Sequence, residues 1–108
     1  MVIDSCIFIE HLRSKDKLNT KLYNLPAGTN RFVTAVTIYE LLLGATTAEK
    51  VLEVQFLING LQVLPFTATA SVRASKIYHQ LKSGHQLIDF RDIFIAATCI
   101  VNNKCKSL

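Results

Sequence analysis

No stretch of this 108-residue chain is long and apolar enough to cross a membrane. The longest nearly unbroken apolar run, Ile93 to Val101, falls far short of the roughly 18 residues a transmembrane helix needs. Asp4 and Glu10 break any apolar secretory leader at the N-terminus. Cysteine is scarce: Cys6, Cys99 and Cys105 cannot all pair within one chain, and their spacing has no zinc-site pattern. A reducing compartment with free thiols is the simplest reading, so a soluble, cytoplasmic protein with no membrane partner is expected. Glycine (4) and proline (2) are few, and no excess of polar residues dilutes a composition that is 50% hydrophobic and 19% charged. That balance excludes disordered, collagenous and low-complexity chains. Nor does one charge sign dominate. Twelve Lys and Arg against eight Asp and Glu give +4, which would favour a polyanionic partner without identifying one. The length suits a single domain, 1–108, since compact domains cluster at about 100–150 residues.

Along the chain, Val2-Ile3 reads as a strand edge that passes at Asp4 into a helix over Ser5 to Arg13, with apolar Ile7, Phe8 and Leu12. Lys17 to Leu25 reads as a second short helix, and Pro26 to Asn30 is turn chemistry. Phe32 to Val36 is rich in strand formers. Thr37-Ile38-Tyr39-Glu40 then reads as a capping box that opens a helix over Ile38 to Leu43, closed by Gly44. Ala48 to Ile58 is helical with Asn59-Gly60 as its stop, and Leu61 to Phe66 is β-compatible. Ala70, Ala74, Ile77, Tyr78 and Leu81 share one face of a helix over Thr67 to Ser83. Asp89 to Asp92 is a further cap, and Ile93 to Val101, apolar nearly all round, predicts a helix buried between layers. The alternation of strands with crossovers long enough to hold helices predicts an α/β sandwich with a mostly parallel sheet.

In such sheets ligands bind off the carboxyl ends of the strands. Asp4, Glu40 and Asp92 each lie near the start of a helix in a separate segment, so parallel strands can bring them to one edge. Clustered carboxylates raise one another's pKa unless a cation neutralises them. Hard divalent ions such as Mg²⁺ or Mn²⁺ are the natural partners, since they are held by few carboxylates while keeping waters and phosphate oxygens. Every position also has a structural explanation. Asp4 could be an N-cap, Glu40 the reciprocal acid of the capping box, and Asp89 and Asp92 a cap and a first-turn acid.

The segments Val2-Ile3-Asp4-Ser5-Cys6-Ile7-Phe8-Ile9-Glu10, Thr34 to Ala45 around Glu40, and Asp92-Ile93-Phe94-Ile95-Ala96-Ala97 resemble, in order and spacing, the three acidic motifs of PIN domains. The VapC-like branch, toxins of toxin–antitoxin pairs, is the best match, and Leu61 to Phe66 before the long helix is similar too. The resemblance spans essentially the whole chain. It implies a PIN-like three-layer sandwich and a metal-dependent endoribonuclease, with Mg²⁺ or Mn²⁺ at Asp4, Glu40 and Asp92. It also implies a cognate VapB-like antitoxin and a homodimer. Ser5 stands where the family usually has a small hydroxyl residue that steadies the site. Asp89 is a further candidate ligand.

One departure concerns the C-terminus. Chains of this branch usually continue past the buried helix into a strand, a Thr-x-Asn or Thr-x-Asp segment and a last strand, whereas this one stops at Asn102 to Leu108. It looks truncated, with its last strand or strands missing or shortened and no candidate for a fourth acidic position. A weakened enzyme follows, or, alternatively, a catalytically inactive PIN-fold module that binds an antitoxin or RNA. His11, His79 and His85 have no motif spacing and read as surface or partly buried polar residues. Arg13, Lys15, Lys17 and Lys21 read as a solvated face, with RNA backbone contact second. Arg91 could meet the scissile phosphate or pair with Asp89. Cys6 reads as a small packed residue with no partner for nucleophilic catalysis.

Overall fold

A computed structural model describes residues 1–84 and 89–104. His85 and Cys105 therefore lie outside the described residues. Among the described residues, five α-helices and two strands follow in the order α1 (Ser5–Arg13), a 3₁₀ turn (Lys17–Asn19), β1 (Phe32–Thr34), α2 (Ala35–Leu43), α3 (Ala48–Ile58), β2 (Gln62–Leu64), α4 (Ala68–Ser83) and α5 (Phe90–Val101). The two strands pair in parallel, Val33 opposite Val63. The N-terminal segment lies along the other side of β1, also parallel, through a Val2–Phe32 bridge. Ile3 N–H donates to Phe32 O at 2.9 Å and Phe32 N–H to Met1 O at 2.8 Å. The expected first strand is thus a single bridge, because Asp4 caps α1 immediately after Ile3 and leaves no residues to extend the ladder.

Alternation along these short segments builds two cores from one sheet. Ile3 and Val33 face α1, α2 and α3, where they pack with Ile7, Phe8, Leu41 and Val54. Val2, Phe32 and Leu64 face the opposite way, onto Ile95 and Cys99 of α5. The far side of α5 presents Ile93 and Ala97 to Ala74 of α4, with Ile77, Tyr78 and Leu81 around them. The all-round apolarity of α5 therefore has its expected cause: one face meets the sheet and the other meets α4. The result is an α/β sandwich with helices on both sides of a parallel sheet.

The expected helix over Lys17 to Leu25 shrinks to the 3₁₀ turn, held by Asp16, whose side chain accepts from Leu18 N–H. Asn24 and Thr20 then use their side chains on local backbone instead of continuing a helix. The strand expected over Phe32 to Val36 ends at Thr34, and that over Leu61 to Phe66 narrows to Gln62–Leu64. The helix expected from Ile38 begins at Ala35. Its cap is Thr34, whose Oγ1 accepts from Thr37 N–H at 3.1 Å. The box Thr37 to Glu40 is therefore not the cap, and Glu40 lies in the second turn of α2. The helices Ala48–Ile58 and Ala68–Ser83 stand where periodicity places them, α3 running into Asn59-Gly60 with Gly60 at φ +85°.

Phe8 is fully buried in the core between α1 and the sheet. Phe8→Ala should therefore lower unfolding free energy by about 3–5 kcal/mol, through lost transfer energy and the cavity left behind. Urea titration followed by circular dichroism reads this as a lower midpoint with an unchanged slope. A loss below about 1 kcal/mol would show that this core does not hold α1 to the sheet.

Candidate active site

Parallel pairing puts the carboxyl ends of the N-terminal segment and β1 at one edge, and two of the candidate acids are fixed there by helix starts. Asp4 caps α1, its Oδ1 accepting Ser5 N–H at 2.8 Å. Ser5 Oγ lies farther from the same oxygen, at 3.5 Å, so Ser5 touches Asp4 mainly through its backbone N–H. Asp89 caps α5 and accepts Arg91 N–H at 2.9 Å. Asp92 follows in the first turn of α5, where the helix dipole favours an acid. For these three the capping or first-turn explanation holds, although a capping carboxylate has further lone pairs for other work.

Glu40 is different. It caps nothing, yet its side chain is only 19% exposed. Its Oε1 is buried and, among the described residues, has no hydrogen-bond partner. Its pKa is raised above the ordinary value, first by loss of water; Arg91 pulls it down, and Asp92, Asp4 and Asp89 push it up. The three other acids thus all act on this one carboxyl group. Arg91 Nε lies 4.0 Å from Glu40 Oε2 and 3.6 Å from Asp89 Oδ1. Of the two roles open to Arg91 in the sequence, pairing with Asp89 is present, and the contact with Glu40 is additional. No spacing rule could have found that contact, since the two residues sit on different helices.

Among the described residues, no three His, Cys, Asp or Glu side chains are drawn together into a closed metal cage. The acids therefore share an electrostatic neighbourhood without sharing a coordination sphere. That donor set still fits a hard divalent ion. All the available ligands are carboxylate oxygens, Glu40 Oε1 lacks a partner, and Mg²⁺ commonly uses one or two carboxylates and keeps its waters.

The remaining candidates lie elsewhere. His11 Nδ1 is 2.6 Å from Thr20 Oγ1, and burial, then Lys17, lowers its pKa against the pull of Glu10. His79 is exposed on α4, its ring edge-on to Tyr78. Lys17 of the basic cluster donates to His11 O and Leu12 O, closing the C-terminal end of α1. Cys6 is exposed rather than packed, because the first turn of α1 turns it outward, while Cys99 is buried in α5.

The raised pKa of Glu40 has a consequence for stability. The native state holds this proton more tightly than the unfolded chain does. This group's contribution to metal-free stability is therefore fully present below the ordinary value of 4.5 and is lost as pH rises from there through the raised native pKa. Glu40→Gln removes the ionisation. In chelator, the variant should melt higher than the wild type at neutral pH, and the gap should close below the carboxylate range. Parallel melting curves across that range would show that Glu40 carries no such cost.

The chain matches the PIN domain family over residues 1–104. Among solved structures, it is similar to VapBC-1 from nontypeable Haemophilus influenzae, with a TM-score of 0.74 and 19% identity, covering 95% of this chain and 81% of that one. A toxin–antitoxin complex from Klebsiella pneumoniae gives 0.73 at 14% identity, covering 95% and 80%. VapBC2 from Rickettsia felis, solved with a DNA fragment from its promoter, gives 0.73 at 17% identity, covering 95% and 82%. No curated protein matches the chain. Those likenesses show the same fold, and the family match extends over nearly the whole sequence: the chain belongs to the PIN domain family.

Proposed function

We propose that this protein is a metal-dependent endoribonuclease, a VapC-like toxin that hydrolyses RNA phosphodiester bonds in the cytoplasm as a single unit over residues 1–108. The observation that carries this reading is Glu40. A carboxyl group sheltered from water, with one oxygen unpartnered and three acids acting on it, is costly to the fold unless a proton or a cation neutralises it, and a divalent ion is the neutralising group that a nuclease site calls for. Asp4, Glu40, Asp92 and Asp89 would supply carboxylates to Mg²⁺ or Mn²⁺, one or two of them directly and the others through the waters the ion keeps. The ion, when bound, supplies charge stabilisation at the phosphoryl oxygens and a water of lowered pKa.

The chain's own residues supply position. Ser5 N–H fixes the rotamer of Asp4. Burial of Thr34 and Thr37 and the hydrogen bond between them set the start of α2, and hence the height of Glu40 above the sheet edge. Asp89 ties the first turn of α5, so that Asp92 is held by a rigid element rather than a loop.

Two partners follow from the same reading. The first is a VapB-like antitoxin, supported by an open groove of about 1230 Å³ with Leu12, Leu52, Phe56 and Val63 in its wall. None of the four acids lines that groove, so its chemistry suits a protein surface rather than catalysis. The second is another copy of this chain, and light scattering should then return twice the chain mass of 12.1 kDa.

Cleavage of single-stranded RNA by purified protein should require Mg²⁺ or Mn²⁺ and stop on chelation. Asp4→Asn keeps size and hydrogen bonding but removes charge. It should reduce cleavage by at least the roughly 10–100-fold that loss of a metal-site group costs. Equal cleavage by the Asn variant, or in excess chelator, would place the activity elsewhere and favour the inactive module that binds an antitoxin or RNA.

A further inference from the structure

Arg91 occupies a position that helix stability does not explain. It is in the first turn of α5, where the dipole disfavours a cation and favours the acids on either side of it. Its side chain is 48% exposed, so it could extend into water at little cost. Instead its Nε lies between Asp89 Oδ1, at 3.6 Å, and Glu40 Oε2, at 4.0 Å. Both separations exceed the roughly 2.7–2.9 Å of a charge-assisted hydrogen bond. The dependence is one-sided. Glu40, with little water around it and no partner on Oε1 among the described residues, needs a positive neighbour, whereas Arg91 has solvent available.

We infer that Arg91 is the resident counter-cation of Glu40 and competes with the divalent ion for it, so that the ion binds only as the guanidinium withdraws. This rests on the reading of Glu40 as a metal-site residue and adds to it a positioning residue that sets how tightly the site takes its ion. The contact suits an exchangeable occupant. It is long enough to be weak, it is made by a flexible and half-exposed side chain, and it leaves Oε1, though buried, without a hydrogen-bond partner among the described residues. Removing Arg91 takes away both the competitor for Glu40 and the repulsion between its charge and the incoming ion.

The test is titration of the full chain with Mn²⁺ alone, followed by calorimetry at a pH well above the carboxylate range. Arg91→Met should bind Mn²⁺ about three- to tenfold more tightly than the wild type, with a gain that shrinks as salt rises. Arg91→Lys, which keeps the charge, should stay near wild type, and matching circular dichroism spectra establish that all variants fold. In a Glu40→Gln background the gain from Arg91→Met should largely vanish, since nothing remains to compete for. Unchanged or weaker binding by Arg91→Met, while Glu40→Gln still weakens binding, overturns the role of Arg91 and leaves the site intact. Mn²⁺ affinity unmoved by Glu40→Gln in the wild-type background overturns the site itself.

Discussion

The carboxyl group of Glu40, taken most of the way out of water among other acids, is the constraint on which the rest of the site depends. A lone carboxylate there would lose much of its hydration and gain repulsion from Asp92, Asp4 and Asp89. The fold tolerates it because the elements around it are secured by other means. Asp4 and Asp89 are each tied to a helix start, and Arg91 lies within ion-pairing reach. Asp4 and Asp89 thus carry two duties, structural through their capping oxygens and electrostatic through their charge. Glu40 has only the second. That makes it the residue whose presence a stability argument alone cannot account for.

Most of the framework is legible in the sequence because it is local. The face formed by Ala70, Ala74, Ile77, Tyr78 and Leu81 identifies α4, the Asn59-Gly60 stop identifies the end of α3, and the caps at Asp4 and Asp89 mark helix starts without any tertiary information. The start of α2 was not legible for a specific reason. Thr34 and Thr37 are both good cap residues, and only Thr37 is followed three positions on by the Glu of a capping box. Which one wins depends on how far β1 runs, and β1 is bounded by pairing with Val2 on one side and Gln62–Leu64 on the other. That is a non-local fact. It carries Glu40 from the first turn of its helix to the second, and so removes the structural explanation that most weakened its claim to a functional role.

The charges divide in a way that net charge conceals. Lys17 and Arg31 are engaged with backbone carbonyls, Lys17 on His11 and Leu12 and Arg31 on Leu25 and Pro26. They fix loop and helix ends, and they are correspondingly less available to a polyanion. The edge where the acids meet has one ion-paired cation among the described residues, Arg91. Under the proposed function, an RNA strand approaching that edge would meet negative charge unless a cation had first reversed it. On this chemistry, ion and substrate are not independent ligands, since each phosphate oxygen brought to the acids needs positive charge already in place.

The same reasoning ties the site to the stability of the fold. Ionising Glu40 in the metal-free state costs native stability, and an ion bound there repays that cost while adding its own binding free energy. At tenfold excess over its dissociation constant, a ligand that binds only the folded state contributes about 1.4 kcal/mol. That is a sizeable share of the roughly 5–15 kcal/mol by which domains of this size are stable. Arg91 moderates both effects. By holding part of the charge of Glu40 when no ion is present, it limits how far the empty site weakens the protein, and by the same contact it raises the ion concentration needed to fill the site. A chain with a neutral residue at position 91 would bind its ion more tightly and stand less firmly without it. The guanidinium therefore sets a compromise between a stable empty site and a tightly occupied one.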